Sequence, residues 1–351
     1  MEPNYIWIKE EKINLKLIKD KQVIKIISHK SILKNNHTPV LAETVLENLN
    51  IRDGLTYVDG TFGAGGHTNM ILSAANCNVI SIDRDPSVKT FKKEIQDRFP
   101  DNFKFIAGNI GRLKFLLKSN GISSIDGGIL FDLGVSSMQI DNPDRGFSFK
   151  NDGPLDMRMD QIGKSAEELI NKTDEKTLND IIYTLGEEKK ARRIARAIVN
   201  HRKNKPITST LELSNLIRNT IGNNPKLKID PATKTFQALR IKVNNELDEI
   251  EKALRDAEKL LAPGARLVVI SFHSLEDKIV KKFLRSKSGL NPNPHRHSAS
   301  IYSKDVKNKP SFKLITKKVL LASDEELNSN IRARSAKLRC AEKLNNMDYA
   351  A

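Results

Sequence analysis

Short apolar runs alternate with amphipathic helical stretches along most of the chain. An amphipathic helix is predicted over residues 41–49, and strands are predicted at five apolar runs: Thr56–Asp59, Asn78–Asp83, Phe103–Ala107, Gly128–Asp132 and residues 266–272. Strands that alternate with helices form a parallel sheet covered by helices. The pattern therefore predicts an α/β fold whose strand ends, rich in acids and glycines, form a ligand crevice.

The strand signals disappear between about residues 141 and 231. Helical periodicity with good caps replaces them, beginning with a capping box at Ser165 and Glu168. This predicts an inserted helical subdomain at 141–231, between sheet segments at 37–140 and 232–351. Within the insert, residues 187–203 place arginines beside apolar positions, so one face can pack while another contacts RNA or only solvent.

The sheet pattern resumes after the insert. A long helix is predicted over residues 236–261, and a further helix is predicted to begin with a cap at Ser274. Residues 286–310 are polar and read as a mobile loop. The alternating segments 311–319 and 335–341 are predicted to pair antiparallel at the sheet edge.

The amino-acid composition indicates which class of partner the protein binds. The 351 residues carry a formal charge of +16 with a pI near 9.6, which indicates a polyanionic partner, although biased composition also contributes lysines. The two cysteines, Cys77 and Cys340, lie in no CxxC pair and at no metal-ligand spacing from a histidine. No metal site or disulfide framework is therefore expected, and no apolar run reaches the length of a membrane span.

The most informative stretch is residues 57–67, where an apolar strand runs into a glycine-rich turn and then a helix. Counted from Gly63, the sixth position is Thr68 instead of the glycine that a dinucleotide site requires, and no P-loop motif follows. The loop therefore suits a nucleoside without a pyrophosphate. Asp83 ends the next strand, where a carboxylate can accept both ribose hydroxyls. Asp59 either braces the loop or lies beside the amino acid portion of the cofactor.

Nine motifs resemble those of the bacterial 16S rRNA (cytosine-N4)-methyltransferases, the MraW or RsmH family. They are residues 37–41 (HTPVL), 59–67 (DGTFGAGGH), 83–85 (DRD), 132–137 (DLGVSS), 144–149 (DRGFSF), 152–159 (DGPLDMRM), 233–240 (TKTFQALR), 271–277 (SFHSLED) and 334–339 (RSAKLR). The resemblance covers about residues 37–344. It implies a Rossmann-like class I methyltransferase sheet with an inserted helical subdomain that binds substrate.

The resemblance also implies S-adenosyl-L-methionine as cofactor and methylation of the exocyclic N4 amine of a cytosine in 16S ribosomal RNA, free or in the small ribosomal subunit. The residues that it assigns to the cofactor are Gly65, Gly66, His67, Asp83, Ile110, Asp132 and Gln139. Ile110 stands where some relatives have Phe, so an apolar contact with the adenine is expected there.

Methyl transfer to nitrogen is an in-line displacement that mainly requires positioning. The catalytic candidates are Asp132, Ser136 and Ser137. Asp132 either accepts a hydrogen bond from the cytosine amine or binds only the cofactor. The two serines either contact the base edge or stabilise a turn.

Substrate contacts are expected from six further residues: Arg145, Phe147, Phe149, Arg158, Arg240 and His273. The arginines are candidates for phosphates, the phenylalanines for stacking on a base, and His273 for orienting the base. Core packing is the alternative for the phenylalanines, and a structural role is the alternative for His273.

Other functions remain open at the level of the sequence. A non-catalytic RNA-binding ribosome assembly factor, or a methyltransferase acting on another nucleic acid or on protein, would share the fold. Residues 1–36 form a basic extension with eight lysines, no arginine and several acids, which fits a mitochondrial transit peptide poorly. A cytoplasmic location is therefore expected, with a mitochondrial one as the alternative.

Overall fold

The computed structural model describes residues 39–222, 229–290 and 309–345, together with the backbone of two short strands, β1 (Tyr5–Ile8) and β2 (Glu11–Asn14). These two strands pair antiparallel. The rest of the predicted extension, His37 and Thr38, and residues 291–308 of the predicted loop lie outside the described residues. None of the described helices is long and apolar enough to cross a membrane.

Seven described strands form the main sheet: β3 (Thr56–Asp59), β4 (Asn78–Asp83), β5 (Phe103–Ala107), β6 (Gly128–Asp132), β7 (Arg266–Ser271), β8 (Phe312–Leu314) and β9 (Lys337–Lys343). Their order is β5-β4-β3-β6-β7-β9-β8. Strands β3 to β7 are parallel, and β8 and β9 run antiparallel at one edge. The predicted α/β sheet and its antiparallel edge are confirmed.

Three strand predictions need correction at their ends. The one at 335–341 is shifted to β9, because residues 331–335 form a 3-10 turn. β7 stops at Ser271 because the backbone N–H of Phe272 donates to the Glu276 side chain at 2.7 Å instead of continuing the ladder. The predicted strand at 311–319 is reduced to β8, since the N–H groups of Ile315 and Thr316 both donate to the carbonyl of Cys340. The chain therefore leaves the sheet edge at Ile315.

Helices cover both faces of the sheet. Successive strand residues point to opposite sides, so Val58, Ile80 and Ile129 belong to one buried cluster and Tyr57 and Val79 to the other. The first cluster packs against helices Leu113–Ser119, Glu246–Leu260 and Ser274–Lys287, and the second against helices Ala42–Leu49, Gly66–Ala74 and Lys89–Arg98.

The insert has a separate apolar core. Its helices are Ala166–Lys172, Glu175–Gly186, Ala191–Arg202 and Thr210–Ile221, with the predicted cap at Ser165 accepting from the N–H of Glu168 at 3.2 Å. Helix Thr233–Asn244, assigned by the sequence pattern to the sheet side, packs Phe236 and Leu239 into this helical core. It therefore joins the two parts of the fold.

The single long helix predicted over residues 236–261 is wrong, because the chain forms two helices there. Asn245 adopts a left-handed conformation with φ of 51° between helices Thr233–Asn244 and Glu246–Leu260. Asparagine tolerates this region better than most residues. The preceding Asn244 donates to the carbonyl of Met157 and accepts from the N–H of Met159, so the break is fixed by contacts with the start of the insert.

A buried ion pair links the insert to the sheet. One guanidinium nitrogen of Arg145 donates to both carboxylate oxygens of Asp85, at 3.1 and 2.8 Å, and the other donates to the carbonyls of Arg158 and Met159. Asp85 and Arg145 are 3% and 9% exposed. The hydrogen bonds therefore compensate most of the cost of burying two charges.

Replacement of Arg145 by methionine should lower the free energy of unfolding by roughly 3–5 kcal/mol, because Asp85 would keep a buried charge without its partner. Chemical unfolding followed by circular dichroism measures this. Lys93→Met is the matched control, since Lys93 pairs with Asp97 on the surface and should leave the unfolding midpoint nearly unchanged. Equal midpoints for the two variants would contradict the structural role of the buried pair.

Candidate active site

A cavity of about 570 Å³ opens at the carboxyl ends of the parallel strands. It lies where the strand order reverses, because β3 has β4 on one side and β6 on the other. Connections leave these neighbours in opposite directions, and a crevice forms between them. The predicted ligand position at the strand ends therefore coincides with the cavity.

The glycine-rich turn after β3 forms one wall of the cavity. Gly63 has a φ of 53°, a conformation that favours glycine, and its N–H donates to the Asp83 carboxylate at 2.7 Å. Gly65 has a φ of 75°, and a Cβ there would lie 2.9 Å from the Phe62 ring. The turn therefore brings backbone close to the space in front of Asp83.

Asp83 presents a partly buried carboxylate at the end of β4. Its two oxygens accept from the N–H groups of Gly63 and Asp85 at 2.7 and 2.9 Å. Burial raises the pKa of Asp83 to about 6, against the lowering effect of these two hydrogen bonds. Each oxygen keeps further lone pairs, so the carboxylate can accept two hydroxyl groups of a ligand.

Asp132, at the end of β6, faces His67 across the cavity wall. Asp132 Oδ2 lies 3.5 Å from His67 Nε2, while Asp132 Oδ1 is buried without a hydrogen-bond partner among the described residues. Burial lowers the pKa of His67, but the carboxylates of Asp132 and Asp59 outweigh it and raise the pKa above its ordinary value. The two carboxylates therefore favour the protonated form of this histidine.

Asp59 lies behind this pair and is completely buried. Its oxygens accept from the N–H of Thr61 at 3.1 Å and from the hydroxyl of Thr68 at 2.7 Å. Burial raises the pKa of Asp59. Of the two roles considered for Asp59, the contacts show the bracing of the loop.

Three other predicted residues line the cavity through the turn after β6. The hydroxyl of Ser136 caps helix Ser137–Asp141 in a capping box with Gln139, and Gln139 donates to Asp85 at 2.6 Å. Ser137 accepts from Arg332. Both serine hydroxyls therefore stabilise local structure. Ile110 lies on the opposite side, at the start of a 3-10 turn.

Arg240 and His273 also line the cavity, each paired with a buried glutamate. Arg240 forms a bidentate ion pair with Glu246 at 2.9 Å, and His273 Nε2 lies 3.1 Å from Glu276 Oε1. Burial raises the pKa of Glu276. The contacts with His273 and Arg240 and the hydrogen bond from the N–H of Phe272 lower it by more, so the net shift of the pKa is downward. Three of these side chains, Glu246, His273 and Glu276, lie close enough together to hold a metal ion. The negative charges of the two glutamates are compensated here by Arg240, which pairs with Glu246 and lies near Glu276.

His273 is also the N-cap of helix Ser274–Lys287, and the predicted cap at Ser274 is wrong by one residue. Its Nδ1 accepts from the N–H of Glu276 in a capping box. The sequence signal was present, since an acid three residues after the cap completes such a box.

Five predicted residues lie away from the cavity lining: Gly65, Arg145, Phe147, Phe149 and Arg158. Arg145 is engaged by Asp85, and Arg158 pairs with Asp156 at 2.6 Å. Phe147 and Phe149 pack on the helical core, where Phe149 meets Phe236 edge to face at 4.7 Å. The two arginines and two phenylalanines therefore contact other parts of the protein, in the case of Arg145 the sheet domain, where phosphates and bases were expected.

Sequence reasoning missed the segment that closes the cavity from the far end of the chain. Asn330, Ile331, Arg332, Arg334 and Ser335 line it, although only residues 334–339 stood out as a motif. Glu326, four residues before Asn330, accepts a hydrogen bond from the N–H of Leu41 at 2.6 Å. The polar residues of this short segment form helix caps and gave no signal that the segment lies against the cavity.

Comparison with known proteins bears on the whole chain. A family model described as the MraW methylase family matches residues 34–344. A protein of Rhodospirillum centenum named ribosomal RNA small subunit methyltransferase H is 49% identical over 309 residues, which cover 88% of this chain and 92% of that protein. A protein of the same name from Wolbachia sp. subsp. Drosophila simulans is 47% identical, with 88% and 99% covered. Among solved structures, a putative rRNA methylase from Clostridium thermocellum is similar with a TM-score of 0.40 at 13% identity, over 88% of this chain and 100% of that chain.

The substitution Asp132→Asn should lower the pKa of His67, because it removes the carboxylate that offsets burial. The raised pKa means that His67 stabilises the fold below its ordinary pKa and that this contribution is lost as pH rises through the folded-state pKa. NMR titration of the His67 imidazole nitrogens measures the change. Asp141→Asn, at an exposed carboxylate by the cavity, is the control. A midpoint unchanged in Asp132→Asn would show that the pair does not set the titration.

Proposed function

This chain belongs to the MraW methylase family, and on that premise we propose that it transfers a methyl group from S-adenosylmethionine to the exocyclic N4 amine of a cytosine in small-subunit ribosomal RNA. The observation that carries the proposal is one cavity holding two carboxylates with free acceptor capacity, Asp83 and Asp132. The names of the relatives support ribosomal RNA as the substrate.

The residues present fit S-adenosylmethionine. Asp83 would hold the ribose hydroxyls, Ile110 would contact the adenine, and the turn at Gly63 leaves room for a ligand close to the backbone. The orphaned Oδ1 of Asp132 offers an acceptor to an ammonium or amine group. When bound, the cofactor supplies a methyl group on a positively charged sulfur.

The protein's contribution to the reaction is positioning and charge. Asp132 is held by its N–H, which donates to Thr61 at 2.7 Å, and by the neighbouring His67. Its Oδ1 can accept a hydrogen bond from the cytosine amine, which keeps the nitrogen lone pair directed at the methyl carbon. In the alternative role, Asp132 binds only the amino group of the cofactor.

Ribosomal RNA suits the charge of the chain. Arg192, Arg193 and Arg196 are exposed on helix Ala191–Arg202 of the insert, and the net charge is +16. We place the target base in a single-stranded or unstacked position, since it must reach the cavity. We also propose a cytoplasmic location, since the proposed substrate is ribosomal RNA and the relatives are named for the small ribosomal subunit.

The variant Asp83→Ala should bind S-adenosylmethionine at least about 30-fold more weakly, because two hydrogen bonds to a charged acceptor are lost. In the wild type, affinity should fall as pH drops below about 6, where Asp83 takes up a proton. Isothermal calorimetry between pH 5 and pH 8 measures both effects.

The pH dependence that Asp83 gives to stability has the opposite sign to its effect on binding, so the two effects can be told apart. A folded-state pKa raised above 3.8 makes this group favour the fold as pH falls through 6, so loss of affinity there does not arise from Asp83-driven unfolding. Asp97→Ala, at an exposed helix position, should bind normally. Unchanged affinity in Asp83→Ala would remove the ribose assignment.

Mass-spectrometric mapping of methylated cytidine tests the substrate. Ribosomal RNA from cells that lack the gene should lose one N4-methylcytidine, the wild-type gene should restore it, and Asp132→Asn should restore little, because the acceptor is weakened. If Asp132→Asn retains S-adenosylmethionine affinity while methylation is lost, Asp132 acts on the base; if both are lost, it acts on the cofactor. An unchanged modification pattern in the deletion strain would overturn the proposed substrate.

A further inference from the structure

Two exposed isoleucines flank the mouth of the cavity. Ile140 lies on helix Ser137–Asp141 and is 36% exposed, and Ile331 begins the 3-10 turn Ile331–Ser335 and is 73% exposed. Both line the cavity. Large apolar side chains on a cavity mouth present area that a ligand can cover, whereas singly scattered ones need no explanation.

Arg332 holds the two elements together. Its guanidinium donates to the Asp141 carboxylate at 2.7 Å and to the hydroxyl of Ser137, so it contacts both ends of helix Ser137–Asp141. Ala333, the next residue, is 1% exposed and anchors the turn in the core. The two isoleucines therefore project from elements that are fixed relative to each other.

A cation stands beside the second isoleucine. Side chains three residues apart eclipse in a 3-10 helix, so Ile331 and Arg334 share one face of the turn. Arg334 is exposed, lines the cavity, and has no hydrogen bond or ion pair with the described part of the chain. Its fork of N–H donors is thus available to an outside acceptor such as a phosphate.

We propose that Ile140, Ile331 and Arg334 form the nucleotide-binding rim of the cavity, where the two isoleucines contact the faces of a base entering from single-stranded RNA and Arg334 binds an adjoining phosphate. The proposal rests on the proposed function and names the residues that receive its substrate. An apolar surface with a cation at its side matches a nucleotide, whose base has apolar faces and whose backbone is anionic.

The probe is a fluorescein-labelled 12-nucleotide single-stranded RNA containing cytidines, with binding followed by anisotropy at several salt concentrations. Ile331→Ser and Ile140→Ser should each raise Kd about fivefold to tenfold through lost apolar contact, with the salt dependence unchanged. Arg334→Gln should raise Kd and reduce the slope of log K against log salt by about 0.7, the loss of one phosphate contact on a single strand.

Two control variants test specificity. Leu321→Ser removes an apolar side chain that is 61% exposed but does not line the cavity. Lys259→Gln removes an exposed cation near the end of helix Glu246–Leu260, which precedes the start of β7, whereas the cavity lies at the carboxyl ends of the parallel strands. Both should bind the RNA as the wild type does. Thermal melting of every variant reports folding, and Ile331→Leu should recover most of the affinity lost in Ile331→Ser.

Wild-type affinity in Ile331→Ser and Arg334→Gln, or losses equal to those of the controls, would overturn the rim while leaving the proposed function intact. If the wild-type protein binds S-adenosylmethionine but neither this RNA nor small ribosomal subunits, the proposed function fails and the rim fails with it. A salt slope lowered in Arg334→Gln alone, together with salt-independent losses in the isoleucine variants, supports the division of roles between base and phosphate.

Discussion

The buried carboxylate of Asp85 is the contact on which the arrangement of the site depends. It accepts from Ser87 in its own turn, from Gln139 after β6 and from Arg145 at the start of the insert. Burial raises the pKa of Asp85, but these donors outweigh it and the net shift is downward. Two segments distant in sequence, the turn after β4 and residues 139–145, therefore meet on one charged group, which lies two residues after Asp83.

The same local sequence produces opposite environments for two acids. Asp85 is surrounded by donors and keeps its charge, whereas Asp83, two residues earlier, receives only two backbone N–H groups and has a pKa raised to about 6. Asp85 has used its hydrogen-bonding capacity inside the protein, and Asp83 retains capacity toward the cavity. The structural acid Asp85 and the acid that we propose binds the ribose, Asp83, are thus separated in the sequence by one residue, Arg84.

Local sequence patterns were sufficient for the parallel strands and for the turn at Gly63, but not for the break at Asn245. Strand β3, the turn at Gly63 and Asp83 are close in sequence, and their spacing alone defines their geometry. The roles of Arg145 and Phe149 could not be obtained in this way, because Asp85 contacts the first and Phe236 the second from 60 or more residues away. An arginine in a glycine-rich loop has the same local pattern whether it meets a phosphate or a buried aspartate.

The cavity carries negative charges inside and a positive charge at its mouth. This difference can direct a cationic ligand to the interior and an anionic ligand to the mouth. Asp83 and Asp132 lie partly buried along the strand ends, where a positively charged sulfonium cofactor gains from their proximity. Arg334 lies at the exposed mouth, where it would repel that cofactor weakly and attract a polyanion. Because water screens charges at the mouth more than inside, the proposed roles agree with the positions, with the interior acids acting on the buried cofactor and the outer arginine on the RNA backbone. One cavity can thereby bind a cation and a polyanion side by side.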